Sequence, residues 1–204
     1  MSLLWLNWTS GLDYKAILSK YRHMEMYMVL TRDQESGQIV CDPVHGNPRV
    51  IYSPSKFDSG NNLMGMVAMA KILYIQGAQE IHPTLPGLRP FIRAQGESPT
   101  SQDAAAGIED ERFQRWLKEM EAHGNRSPDT PFSSAHQRSS CRMSSTENDG
   151  VVDEYGKAWG CERLYVADAS VLPSASGVNP MVTIMAIAER ISSAIAEALV
   201  EETE

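Results

Sequence analysis

The stretch from Leu164 to Ile191, LYVADASVLPSASGVNPMVTIMAIAERI, constrains the fold of this 204-residue chain more than any other. Residues 164–167 form a short apolar run between polar residues, which is the pattern of a strand buried on both faces. Asp168 ends this run, and the Pro, Ser and Gly residues that follow it up to Gly177 disfavour regular structure. The stretch therefore predicts a buried strand, a turn-rich loop and then a helix.

The predicted helix opens at Asn179 and Pro180, because Asn is a good N-cap and Pro suits the first helical position. Spacings of three, four and seven place one set of apolar residues on a single face. This face consists of Met181, Ile184, Met185, Ala188, Ile191 and Ile195. A helix N-terminus above the carboxyl end of a strand is a place where α/β proteins bind nucleotides, since its free N–H groups favour an electron-rich ligand.

Three β-favouring segments precede this stretch, at residues 24–31, 38–41 and 49–52. The first two are separated by DQESG, residues 33–37, which has the composition of a hairpin turn. We therefore predict one antiparallel sheet from the three segments. Its predicted neighbours across the sheet are Met28, Gln38 and Ile51.

Two helices are predicted between the sheet and the C-terminal stretch, at residues 58–76 and 108–123, with a strand at 91–94 between them. Residues 131–142 carry His136, on or beside a further strand. The predicted packing faces of the helices are Leu63, Met66, Val67, Ala70, Leu73 and Tyr74, and Phe113, Trp116, Leu117 and Met120. The fold class is α+β: an antiparallel-sheet region with helices, followed by a strand–loop–helix element.

Composition and charge exclude several classes of protein. The formal net charge of −8 and the lack of a basic cluster argue against a nucleic-acid partner. No apolar run of about 18 residues exists, so no spanning segment is predicted, although the apolar run at residues 3–8 could contact a membrane surface. The cysteines are Cys41, Cys141 and Cys161, and they lack CxxC spacing. Neither a disulfide framework nor a metal site is therefore indicated.

Three segments in order, HQRSSCRM (136–143), GVVDEYGKAWG (150–160) and the stretch 164–191, resemble the C-terminal signature of the glucose–methanol–choline (GMC) family of FAD-dependent oxidoreductases. The segment GVNPMVTIMAIAE most resembles the corresponding segment of the branch that oxidises long-chain fatty alcohols. The match departs from the usual H-Q-x-G-[ST]-C-R-M-G run, because Arg138, Ser139 and Ser144 occupy its middle and end. A lost Gly implies a bulkier, more polar approach to flavin or substrate.

The resemblance implies a division into two domains. Residues 1–143 would be a portion of the substrate-binding (cap) domain, and residues 144–204 would return to a Rossmann-like FAD-binding domain. The sequence contains no G-x-G-x-x-G fingerprint for a dinucleotide pyrophosphate, which members of the family carry near their N-terminus. We therefore expect a missing N-terminal FAD-binding half as partner of this chain.

The resemblance also implies the chemistry: FAD as cofactor, a primary, long-chain alcohol as substrate and dioxygen as acceptor. His136 matches the catalytic histidine, and histidine exchanges protons near neutral pH, as a base for the hydroxyl proton must. Asn179 matches the second catalytic position, which hydrogen-bonds the substrate oxygen. The residues that match flavin-binding positions are Asp168, Ala169, Asn179, Pro180, Met181 and Thr183.

A different class of function is also compatible with these residues. The chain could be a catalytically inactive fragment or a module that retains the cap fold and binds a lipid or a partner protein. The absent dinucleotide fingerprint favours this alternative, whereas the joint presence of His136, Asn179 and Asp168 favours the enzyme. Retention of FAD discriminates between the two.

Overall fold

Four α-helices and two short antiparallel strand pairs make up the regular structure in a computed structural model that describes residues 6–94, 96 and 106–201. The helices are α1 (Gly11–Ser19), α2 (Lys56–Ile75), α3 (Glu111–His123) and α4 (Met181–Glu201). The strands are β1 (Gln38–Cys41), β2 (Pro48–Ile51), β3 (Glu80–Ile81) and β4 (Phe91–Ile92). The predicted α+β class is thus confirmed, while the Rossmann-like assignment of the C-terminal segment stays a prediction.

The chain forms two compact units, each assembled from two separate segments. The first unit contains Met1–Thr31 and Ser53–Phe132, and the second contains Arg32–Tyr52 and Ser133–Glu204. The division at residue 143 into substrate and flavin domains is a functional assignment and stays a prediction.

The first unit has an aromatic core between α2 and α3. Phe113 is fully buried, and its ring stacks on that of Tyr74 with the centroids 4.0 Å apart. The ring of Phe91, in β4, packs edge-to-face with that of Phe113, at a centroid distance of 5.1 Å. The predicted packing faces of both helices are confirmed, because every member is buried or packs partly buried against this cluster.

A buried arginine closes the C-terminal end of α2. Arg93 is only 8% exposed, and its guanidinium lies 3.9 Å from the centroid of the Tyr74 ring. The same group donates hydrogen bonds to the carbonyl oxygens of Tyr74, at 2.6 Å, and Ala78, at 3.2 Å. The Tyr74 carbonyl lies in the last turn of α2 and also accepts the N–H of Gly77, and the Ala78 carbonyl lies just beyond the helix. Arg93 therefore adds hydrogen-bond donors where the helix ends.

The hairpin of β1 and β2 belongs to the second unit and has the predicted register, with Gln38 opposite Ile51. The turn between these strands is held by Asp42, whose carboxylate accepts the N–H groups of Val44, at 2.9 Å, and His45, at 2.8 Å. All eight residues of the two strands are exposed.

The predicted third strand of this sheet, residues 24–31, is wrong, and Met28 does not pair with the hairpin. These residues are irregular, and Val29 packs against α2 at Gly65. A Cβ at Gly65 would lie only 2.4 Å from Cγ1 of Val29, so the missing side chain creates the space for this contact. The segment therefore packs on a helix, and the predicted turn at 33–37 joins no strand pair.

The predicted buried strand at residues 164–167 is also wrong as a regular element. A single antiparallel bridge joins Lys157 and Tyr165, and Leu164 is 51% exposed. The N–H of Val166 donates to the carbonyl of Gly156, at 2.8 Å. Two further isolated bridges join Val152 to Ala158 and to Met143. The buried cluster in this part of the chain is small and consists of Val152, Ala158 and Val171.

Helix α4 begins at Met181, one residue later than predicted. The carbonyl of Pro180 accepts the N–H of Ile184, at 2.8 Å, so Pro180 rather than Asn179 is the N-cap. The predicted apolar face is correct at the buried Ile191 but wrong at Met181 and Met185, which are 67% and 65% exposed. At about 100° per residue these methionines lie roughly 80° and 120° around the helix from Ile191.

No helix within the described ranges combines the length and apolar character needed to cross a bilayer. Residues 3–5 of the predicted membrane-contacting run at residues 3–8 lie outside the described residues. Its described apolar members are Leu6 and Trp8, of which Trp8 is exposed.

Candidate active site

The segment of residues 136–143 lies along the loop that leads to α4. The N–H of Cys141 donates to the carbonyl of Ser170, at 3.1 Å, and the N–H of Met143 donates to that of Val171, at 2.9 Å. Residues 131–142 contain no regular strand, so the predicted strand there is wrong, although Met143 bridges Val152. Two segments that are distant in sequence are thus joined by main-chain hydrogen bonds.

Ser139 occupies the left-handed region of backbone conformation, with φ +71°. This is the position at which the GMC pattern usually has Gly, the residue that adopts positive φ at least cost. The Ser139 hydroxyl donates a 2.7 Å hydrogen bond to the carbonyl of Leu172. Ser139 therefore adopts a backbone conformation that is typical of Gly, and its side chain bonds to the loop.

Arg138 connects the His136 main chain to the end of the same loop. Its Nε donates to the carbonyl of His136, at 3.0 Å, and its Nη1 donates to Oγ of Ser176, at 3.1 Å. The Ser176 hydroxyl in turn donates to the carbonyl of Val178, at 2.8 Å. A continuous set of hydrogen bonds therefore runs from His136 to the residue before Asn179.

His136 is half-buried on this irregular segment, and Asn179 is exposed. The main-chain N–H of His136 donates to Oγ of Ser134, at 3.5 Å. Among the described residues, the imidazole of His136 and the amide of Asn179 share no hydrogen bond. The structure thus brings their main chains together through Arg138 and Ser176, and the pairing of their side chains around a substrate stays a prediction.

The carboxylate of Asp168 caps a short 3-10 turn at Ala169–Val171 and accepts the N–H of Ser170, at 2.7 Å. Hydrogen bonds from the side chain and main chain of Ser170 hold the pKa of Asp168 below its usual value, against a smaller opposing effect of burial. The carboxylate of Asp168 thus stabilises the turn that follows it. A main-chain N–H is the ligand donor that the family pattern predicts at Asp168 and Ala169.

The start of α4 presents polar and apolar groups together. Asn179, Met181 and Thr183 are exposed, whereas Pro180 is buried. The first N–H groups of a helix have no intrahelical acceptor, and the helix dipole makes this end positive. These N–H donors favour an electron-rich ligand group, and the exposed methionine beside them adds apolar surface.

The model of the family described as GMC oxidoreductase matches residues 42–188 of this chain. This chain belongs to the GMC oxidoreductase family. Long-chain-alcohol oxidase FAO3 of Arabidopsis thaliana is 33% identical over 94% of the chain and 24% of its own length, and FAO4B of the same plant is 34% identical over 96% and 24%. A cholesterol oxidase of Acinetobacter baumannii is 43% identical over 32% of the chain and 12% of its own length.

The chain thus spans about a quarter of the length of the Arabidopsis oxidases that it matches. Every candidate site residue, from His136 to Thr183, falls within the range matched to the GMC family. Sequence reasoning identified the two segments that meet, but not the links made by Arg138 and Ser176. Arg138 and Ser139 both lie where the sequence departs from the usual GMC run, and this departure was the signal in the sequence that pointed to the turn.

Proposed function

We propose that this chain is the C-terminal part of an FAD-dependent enzyme that oxidises primary, long-chain alcohols to aldehydes. The proposal rests above all on the attachment of the His136 segment to the loop before Asn179, within a GMC oxidoreductase domain. The long-chain-alcohol oxidases among its relatives support the class of substrate.

The residues at the start of α4 fit a flavin by their chemistry. FAD, when bound, supplies the group that accepts hydride from the alcohol carbon. The N–H groups of the first turn and the positive helix end would stabilise negative charge on the reduced ring. The exposed Met181 and Thr183 would line that ring, whereas the buried Pro180, also predicted to line it, would support the helix start from behind. The turn at Asp168 and Ala169 would bind the more polar part of the cofactor.

His136 is the proposed base. Its imidazole would take the hydroxyl proton of the alcohol as hydride leaves the neighbouring carbon, and its half-buried position limits competition from water for that proton. Asn179 would donate a hydrogen bond from its side-chain amide to the alcohol oxygen and so orient the substrate. Dioxygen is the proposed final electron acceptor.

The test uses the full-length protein that contains this chain. We expect bound FAD, and we expect 1-hexadecanol to reduce that FAD under anaerobic conditions. General-base catalysis contributes about 10²–10⁴-fold, so His136→Ala should slow the reduction by a similar factor while FAD remains bound. His45→Ala is the matched control, because His45 is exposed in the turn of the hairpin.

A protein that binds FAD but is reduced equally fast with His136→Ala would refute the role of His136. A protein that folds without FAD would favour the second candidate function, a non-catalytic module that binds a lipid or a protein. The exposed apolar side chains at the start of α4, which include Val182 beside Met181 and Met185, are the observation that favours this second function.

A further inference from the structure

We propose that Arg138 is a positioning residue that fixes the distance between the main chains of His136 and Asn179. This inference rests on the proposed function, in which these two residues act on one substrate. The guanidinium bonds to the carbonyl of His136 on one side and to Ser176 on the other, and Ser176 bonds to the carbonyl of Val178. Each end of the link is therefore a main-chain atom of, or next to, a proposed catalytic residue.

The chemistry of arginine suits this task. A guanidinium is planar and presents several N–H donors at fixed angles, so one group can bond two acceptors that face it from different directions. Both bonds carry the charge of the donor and are stronger than neutral hydrogen bonds. Lysine offers a single ammonium on a flexible stem and cannot hold both acceptors in the same geometry.

The link lies where regular structure is absent. Residue 136 and residues 172–180 lie in neither helix nor strand, so no ladder of main-chain bonds fixes their separation. The bonds of Cys141 and Met143 to the same loop hold its beginning, at Ser170 and Val171. Arg138 holds its end. Reactions between bound partners depend steeply on geometry, and a displacement of about 1 Å can reduce the rate about 100-fold.

The first experiment measures alcohol oxidation by the FAD-bound protein that contains this chain. We expect Arg138→Met to lower kcat by about 10-fold to 100-fold with KM and bound FAD unchanged, and to raise the deuterium isotope effect for a 1,1-dideuterated alcohol. Arg138→Lys should lose less, because one of the two bonds can persist. Arg142→Met is the matched control, since its Nε donates to the carbonyl of Asp149, away from residues 176–178.

Ser176→Ala tests whether the two side chains act as one link. If they do, the double variant Arg138→Met/Ser176→Ala should lower kcat no further than Arg138→Met alone. Additive losses, or a loss with Arg142→Met as large as with Arg138→Met, would overturn the proposal. So would a rise in KM with kcat unchanged.

Hydrogen–deuterium exchange of the same FAD-bound variants gives a readout that needs no activity. We expect faster exchange in the peptides that cover residues 137–140 and 177–180 with Arg138→Met, and in the second of these alone with Ser176→Ala. Unchanged exchange in both peptides would overturn the proposal. If the variants show this exchange pattern but the unaltered protein oxidises no alcohol, the proposed function fails while the link stands.

Discussion

The two units are stabilised in different ways. The first is built on interlocked aromatic rings, with Phe113 at their centre and Tyr74, Phe91 and Trp116 around it. The second has a buried cluster of small side chains around Val152, and hydrogen bonds between irregular segments define its course. Apolar burial is non-directional, whereas hydrogen bonds fix geometry. The unit that carries the candidate site is therefore the one in which position depends on directional bonds.

The largest effect is expected from the aromatic core. Phe113→Ala removes a fully buried ring and leaves a cavity, so we expect a loss of about 3–5 kcal/mol in the free energy of unfolding, measured with denaturant. Phe57→Ala is the control, because Phe57 is exposed on α2, and it should cost little. Similar losses at the two positions would show that the first unit does not rest on this core.

The second unit should be most sensitive where its main chain is tightly packed. Gly156 has φ +76°, and a Cβ there would lie 2.7 Å from both Cδ1 of Ile191 and the carbonyl oxygen of Val166. We expect Gly156→Ala to cost about 2–4 kcal/mol, from backbone strain and overpacking together. Gly160→Ala has a similar φ of +70° but open space around it, and should cost only about 1 kcal/mol by thermal unfolding. Equal losses would refute the close packing.

A smaller effect is expected at the start of α3. Asp110 accepts the N–H groups of Arg112 and Phe113 and the hydroxyl of Tyr74, so Asp110→Ala should cost about 1–2 kcal/mol in the free energy of unfolding. Burial acts to raise the pKa of Asp110, but these hydrogen bonds outweigh it and hold the pKa below the usual 3.8.

A carboxyl with a lowered pKa stabilises the folded state above its unfolded pKa, and this contribution disappears as pH falls through the folded pKa. Stability from Asp110 should thus be lost below about pH 4. Asp110→Asn keeps an oxygen acceptor without titrating, so the free energy of unfolding should depend less on pH below about pH 4. An unchanged pH dependence would contradict this role.

The smallest effect is expected at Ser139, where two substitutions should differ. Ser139→Ala loses the hydrogen bond to Leu172 and keeps the cost of positive φ, for a loss of about 1 kcal/mol. Ser139→Gly loses the same bond but relieves the backbone, so stability should remain nearly unchanged. Thermal unfolding of both variants measures the difference, and a Gly variant less stable than the Ala variant would contradict the positive-φ argument.

Periodic patterns in the sequence predicted helix α3 and the packed face of α2 well, because apolar spacing reports burial directly. They failed at residues 24–31, where β-favouring composition could not reveal the gap at Gly65 that admits Val29. The buried Arg93 was also missed, since its partners are main-chain carbonyls that leave no mark in the sequence. Contacts with the main chain depend on tertiary geometry.

The candidate site was predicted in part. The sequence identified the segments around His136 and Asn179, and the structure joins them with hydrogen bonds through Arg138. The strand expected at 164–167 is instead a single isolated bridge at Tyr165, because a short apolar run specifies strand character but not pairing partners. The catalytic roles of these residues stay predictions.

The assembly of each unit from two segments governs how this protein could be divided. The chain passes between units after Thr31, after Tyr52 and after Phe132. A single cut after Phe132 would leave the hairpin of the second unit on the polypeptide of the first. Neither unit can therefore be expressed from one uninterrupted coding segment, and a gene split at this point would yield two polypeptides that must reassociate to restore the second unit.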